Sequence, residues 1–305
     1  MVSLNPYSRP IPSKTAEPGH KCFLIFEGTN TEPTYFKAFD KKQMRNNWIL
    51  LEKTDKEKGY SALAKLIELA DDFTKGSKNK CTYMMAYDRL SEALQTKGIS
   101  KLSKESILKW FKGTHRKLFQ NLSLGSEIDK DKLSAIFNAF ENQQENLLDI
   151  AVDSKYLLSY SYPDYTKGID EIYIVVDRDP QSGIADDAFL KIIQQALAKD
   201  YKILLSNPCF EFWLLLHHTS EFTEDEKRQL KAGLISGENQ NVAFKLLKRK
   251  DPDYTKKLSN VEMYIAKVKN AIDNSKLYSV ELKELVSNIG SNIGAFLEDN
   301  LLPSD

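Results

Sequence analysis

The chain has 305 residues, enough for one large or two ordinary domains with a sizeable core. Lys+Arg and Asp+Glu are equal at 43 each, so no overall field draws the protein to nucleic acid or a membrane surface, and a polyanion would have to be met by a local patch. An apolar content of 41% with 28% charged residues excludes a disordered chain.

Three cysteines (Cys22, Cys81, Cys209) are too few and too scattered for a disulfide framework or a thiolate zinc site, which points to a reducing cytoplasm. The four histidines show no HExxH spacing. Residues 1–20 hold no apolar stretch of the kind a signal peptide needs, and the longest apolar runs (23–26, 172–176, 212–216) are too short to span a bilayer. A cytoplasmic protein without a membrane partner is expected.

Residues 1–20, rich in proline, read as an extended arm. CFLIF (22–26) is a buried-strand run that ends at Glu27-Gly28. TNTEPTYFKAF then opens a helix: Thr29 and Glu32 fit a capping box, which makes Glu32 a cap rather than a ligand, and Pro33 suits a first turn. A strand at 48–53 and an amphipathic helix at 60–73 follow, a β-α-β-α grammar that predicts a doubly wound α/β core over 21–87 and 168–218. CTYMMAY (81–87) reads as a further strand. The long Lys-rich helical periodicity of 88–167 predicts a helical insertion outside the sheet. IYIVV (172–176) restarts strand grammar, followed by a helix at 186–198, a strand at 201–205 and a helix from Pro208, with Ser206-Asn207 at its cap. Residues 219–305 read as a charged helical C-terminal region.

Acidic residues fall where strands end. Glu27 follows the first strand, and Asp177 and Asp179 follow IYIVV. In a parallel α/β sheet, ligands bind outside the carboxyl ends of the strands. If 177–179 stay extended, Asp177 and Asp179 point to the same side. Adjacent carboxylates repel, and an all-oxygen donor set suits Mg²⁺ or Mn²⁺. Alone, DRDP is also ordinary turn chemistry. Glu211 lies early in CFEFWLLLHH, too apolar for a solvent face, so it is paired, metal-bound, protonated or rotated to the surface. His217 reads as a core histidine, and His218 lies too far along the helix to share a metal with Glu211. Basic residues beside aromatics offer phosphate contacts: Lys248, Arg249, Tyr254 and Lys256 in one stretch, and Lys104, Lys109, Lys112, Arg116 and Lys117 with Trp110 and Phe111 in the insertion. The first stretch is the preferred substrate contact.

Taken together, E-G-x-x-T-E-P-x-Y-F (27–36), the strand with D-x-D (172–179) and S-N-P-C-F-E-F-W-L-L-L-H (206–217) closely resemble the RloB-like family of prokaryotic defence and abortive-infection proteins. The resemblance covers 22–40 and 170–218 and reaches Tyr254-x-Lys256. It implies a Toprim-type fold holding Mg²⁺ (or Mn²⁺) with Glu27, Asp177 and Asp179. Glu27 would transfer protons and Glu211 would join the catalytic set. The implied function is metal-dependent cleavage of DNA or RNA phosphodiesters, gated by a separately encoded ATPase. The rival reading is a non-catalytic metal-binding module that serves as a regulatory subunit of an ATPase complex. A homo-oligomer is compatible with either.

Overall fold

The computed structural model describes residues 21–39, 47–51, 53, 62–75, 81–96, 126–144, 165–233 and 241–301, with single positions at 109, 112 and 113. The N-terminal arm at 1–20, and Lys104, Trp110, Phe111, Arg116 and Lys117 of the insertion, lie outside them.

The centre is a five-stranded sheet. β1 (Lys21–Phe26) has β2 (Asn47–Leu51) on one side and β5 (Glu171–Asp177) on the other. β6 (Tyr201–Asn207) follows β5, and these four strands are parallel. β7 (Gly290–Ser291) closes the edge antiparallel to β6. The sequence reading of 219–305 as helices alone missed this strand. Two residues cannot show an alternating pattern, and β7 is held by its neighbour rather than by its own propensity.

Side chains alternate between two apolar layers. Cys22, Leu24 and Phe26 face one side with Tyr173, Val175 and Leu204, while Phe23 and Ile25 face the other with Ile172, Ile174 and Val176. Both faces are covered, which is why these strands read as continuous apolar runs. The first face is covered by α1 (Thr31–Lys37) and by helices from the C-terminal part of the chain. The second is covered by α2 (Leu63–Thr74) and α5 (Asp186–Leu197). The crossover from β1 to β2 therefore runs over one face and that from β5 to β6 over the other. Right-handed crossovers that leave in opposite directions must do this. The strand order reverses between β1 and β5, and the crevice beyond their carboxyl ends is the switch point of the sheet.

The segment expected as strand 81–87 is strand only at β3 (Cys81–Thr82); α3 (Tyr83–Thr96) follows at once. Tyr83, Ala86, Tyr87 and Leu90 recur at helical spacing and are all buried, and this period outweighs the apolar run. β3 pairs with β4 (Glu127–Ile128) in a separate two-stranded ladder, and α4 (Lys130–Gln144) follows. Among the described residues no helix is long and apolar enough to cross a membrane.

Beyond β6 come α6 (Phe210–Leu215), α7 (Glu224–Ala232), α8 (Val242–Lys250), α9 (Val261–Ala266), α10 (Val268–Ser275), α11 (Leu282–Leu285) and α12 (Ile293–Asn300). α6 is fully buried, and Trp213 is among the largest side chains sealed from solvent.

His217, just past α6, is 1% exposed; its Nε2 meets the Tyr35 hydroxyl at 3.0 Å and its Nδ1 the Trp213 carbonyl at 3.1 Å. Burial above all holds its pKa down at about 3. Below about pH 6.5 the unfolded chain therefore binds a proton that the folded one refuses. This contribution to stability is complete above pH 6.5 and is lost as the pH falls. Between pH 7 and 5 the loss is about 2 kcal/mol. Urea midpoints at the two pH values should differ less for His217→Gln than for wild type; an equal difference would reject this assignment.

Candidate functional site

Glu27 leaves β1 at the switch point with its amide bonded to the Val175 carbonyl of β5 at 2.9 Å. Its carboxylate turns across the crevice, where Oε2 accepts from the Asp177 amide at 3.0 Å. Lys53, just past β2, donates from Nζ to the Glu27 carbonyl. Burial raises the Glu27 pKa to about 7, reinforced by the charges of Glu32 and Asp179 and opposed by the Asp177 amide and Lys53.

Glu32 is not the cap that the sequence suggested. α1 begins at Thr31, its N-cap Asn30 makes no side-chain bond, and Glu32 is buried in the first turn. The carboxylate folds back over Gly28, where a Cβ would lie 2.2 Å from Glu32 Oε2 and would push it from this position. Burial raises the Glu32 pKa, and the Glu211 charge adds to it.

Asp177 is the last residue of β5 and half-buried. Burial pushes its carboxyl well above the usual range, and the charges of Glu32, Glu27 and Glu211 push it further, against a hydrogen bond from the Phe210 amide. Four carboxylates thus act on one another at one mouth of the sheet.

The expectation that Asp177 and Asp179 share one face through extended backbone is not met. The strand ends at Asp177, and Asp179 is exposed with a φ of 37° at the start of a 3₁₀ turn, Pro180–Ser182. Arg178 between them explains this. It is 4% exposed and its side chain leaves toward α5 and α11: Nε donates to the Val286 carbonyl at 3.0 Å, and Nη2 to the Ile184 carbonyl at 2.9 Å and Asp186 at 2.6 Å. The Asp179 amide is fixed by the Pro208 carbonyl at 3.0 Å, and its charge still acts on Glu27.

The Asn207–Pro208 peptide is cis, and α6 begins at Phe210 with Cys209 as its N-cap rather than at Pro208. This places Glu211 in the first turn, buried, facing the strand ends. Ligand atoms of Asp177, Cys209 and Glu211 lie within 4.8 Å of one another; Glu27 and Asp179 fall outside that group. The Cys209 thiol accepts a bond from Asn241 at 3.1 Å and is pushed well up by burial and by Glu211 and Asp177, so it stays protonated.

Against this geometry, a family model described as RloB-like protein matches residues 22–299. The chain belongs to the RloB-like protein family. No curated protein and no solved structure matches it.

All the carboxylates of the crevice in this RloB-like chain lie within the matched span. The basic stretch divides. Lys248 donates to the Pro252 carbonyl at 2.6 Å, and Arg249 lies 3.8 Å from Glu226, on the outer side of α8. Lys256 is exposed, and its carbonyl accepts from Thr31 Oγ1 at 2.8 Å, which ties its loop to the start of α1 beside the crevice. Tyr254 was expected to contact substrate, yet it is buried, with its ring against Phe244 and its hydroxyl on Glu211, so it offers no stacking face. Sequence reasoning missed Glu32, Cys209 and Lys53. The Glu-Gly pair before Thr-Glu was the one local signal for Glu32, since glycine permits the close approach.

Proposed function

We propose that this protein is a metal-dependent nuclease of the Toprim type that cleaves DNA or RNA phosphodiesters in prokaryotic antiviral defence. The observation that carries this reading is the set of mutually repelling carboxylates of Glu27, Glu32, Asp177 and Glu211 at the switch point of a parallel sheet. Proteins leave buried carboxylates facing one another where a cation or a shared proton is part of the chemistry. The donor set fits a hard divalent ion: Asp177 and Glu211 offer oxygens at close range, with Glu27 and Asp179 at the rim, which suits Mg²⁺ or Mn²⁺ with water completing the shell. Such an ion supplies charge that polarises the phosphate and stabilises the attacking and leaving oxygens.

The remaining roles belong to the chain. Glu27, with a pKa near neutrality, is suited to accept and return a proton. Lys53 adds a positive charge beside it, and Lys256 stands on a loop at the rim where a phosphate backbone would pass. The balanced net charge supports weak unaided substrate binding, and the resemblance to the RloB-like family implies a separately encoded ATPase that gates the activity.

The test is incubation of the protein with plasmid, single-stranded DNA and total tRNA, with and without Mg²⁺ or Mn²⁺ and with a candidate ATPase. Ion-dependent cleavage is expected, reduced about 100-fold or more in Glu27→Gln. Ion binding and ATPase docking without cleavage under any condition would instead make the protein a regulatory module.

A further inference from the structure

Glu211, like Glu32, comes from a helix rather than from a strand end, and one of its donors lies 43 positions further along the chain. The Tyr254 hydroxyl donates to Glu211 Oε1 at 3.2 Å. Tyr254 is buried beyond α8, its ring edge-on to Phe244 with centroids 5.5 Å apart. The loop that carries it is pinned at two points. Asp251 accepts from the Tyr264 hydroxyl at 2.7 Å and from the Asp253 amide at 3.2 Å, and the Tyr254 amide bonds the Asp251 carbonyl at 3.1 Å. At the other end Thr31 Oγ1 holds the Lys256 carbonyl. The phenol is thereby delivered to one place, and that place is a carboxylate within reach of Asp177.

We propose that Tyr254 is a positioning residue for the ion centre: its hydroxyl fixes the orientation of Glu211, so that the carboxylate meets a divalent cation together with Asp177 without first being ordered by it. Glu211 sits in the first turn of a six-residue helix, and a donor on one carboxylate oxygen selects one rotamer while leaving the other oxygen available. Groups that orient a ligand in this way typically govern affinity by about 10- to 100-fold. The loop that delivers the phenol also carries Lys256, so a phosphate engaged at the rim and a ligand at the centre are held by one segment. This inference rests on the proposed function only in needing an ion at Glu211; it does not need cleavage.

The experiment is calorimetric titration with Mn²⁺ of the full chain as wild type, Tyr254→Phe, Glu211→Gln and the double variant, with melting temperatures recorded in EDTA. Tyr254→Phe deletes one hydroxyl and keeps the ring packing. It should weaken Mn²⁺ binding about tenfold, leave the EDTA melting temperature nearly unchanged, and have no further effect in the Glu211→Gln background. Equal affinity for wild type and Tyr254→Phe, or an equal loss in both backgrounds, would overturn the positioning role alone. Absence of Mn²⁺ binding by wild type would overturn it together with the nuclease reading, whereas binding without cleavage would overturn the nuclease reading alone. Should Tyr254→Phe fail to fold, Thr31→Val, which releases the Lys256 carbonyl and loosens the same loop, must show the Glu211-dependent weakening; unchanged affinity there rejects the proposal.

Discussion

Replacing Asp177 with Asn is expected to abolish ion-dependent cleavage while raising the melting temperature of the ion-free protein. The two effects have one cause. Asp177 is the carboxylate on which Glu27, Glu32 and Glu211 all act, and together with burial they hold its pKa far above that of an exposed aspartate. A carboxyl whose folded pKa lies above its unfolded value opposes folding: the penalty is full above the folded pKa and is lost as the pH falls from there to the unfolded pKa. Asn keeps the volume and removes the charge. The gain should be on the order of 1 kcal/mol, about 2–4 °C for a chain of this size, and larger at pH 8 than at pH 5. With saturating Mn²⁺ the ranking should reverse, because wild type gains the free energy of binding and the variant does not. Cleavage assays and melts at two pH values, each with and without Mn²⁺, read all of this. Wild-type turnover by Asp177→Asn would end the catalytic reading. A variant less stable than wild type without ions would show that the Asp177 charge is compensated in the ion-free protein.

How far the sequence could reveal this site follows from what each residue depends on. β1, β5 and β6 were legible because each is covered on both faces and so leaves a continuous apolar run, and the acidic residues at their ends were legible because a run has an end. Glu27 and Asp177 needed only that. Glu32 needed the chain to turn back over Gly28, and spacing alone made it a capping residue of an ordinary kind. Tyr254 read as a surface aromatic among cations because its partner is 43 residues away, and such distances leave no periodic trace. Asp179 was misplaced because the alternation rule holds only while the strand lasts, and the residue that ends it, Arg178, looked like one more charge in a polar turn.

Arg178 carries the second large effect. Arg178→Met is expected to cost about 3 kcal/mol of folding stability, since its bonds to the Val286 and Ile184 carbonyls are buried and charge-assisted, and its guanidinium lies 4.8 Å from the Phe189 ring centroid. The ion pair with Asp186 adds little to that figure, because the carboxylate is half exposed; Asp186→Asn should therefore cost less than about 1 kcal/mol. Lys at this position keeps the charge and the stem but loses the planar fork, so it reaches one carbonyl at a time and should recover about half of the loss. The consequence extends to the crevice. Arg178 joins Asp177 to Asp179, and it anchors this turn to α5 and to the Val286 carbonyl just past α11, which hold neither carboxylate themselves. Without the anchor, nothing in the side chain at 178 favours the left-handed backbone at Asp179. Cleavage by Arg178→Met should then fall by more than its unfolded fraction explains, even at temperatures where the variant is folded. Urea unfolding paired with turnover at 15 °C separates the two terms. Midpoints equal to wild type would refute the anchor, and full specific activity in a destabilised variant would confine Arg178 to the fold.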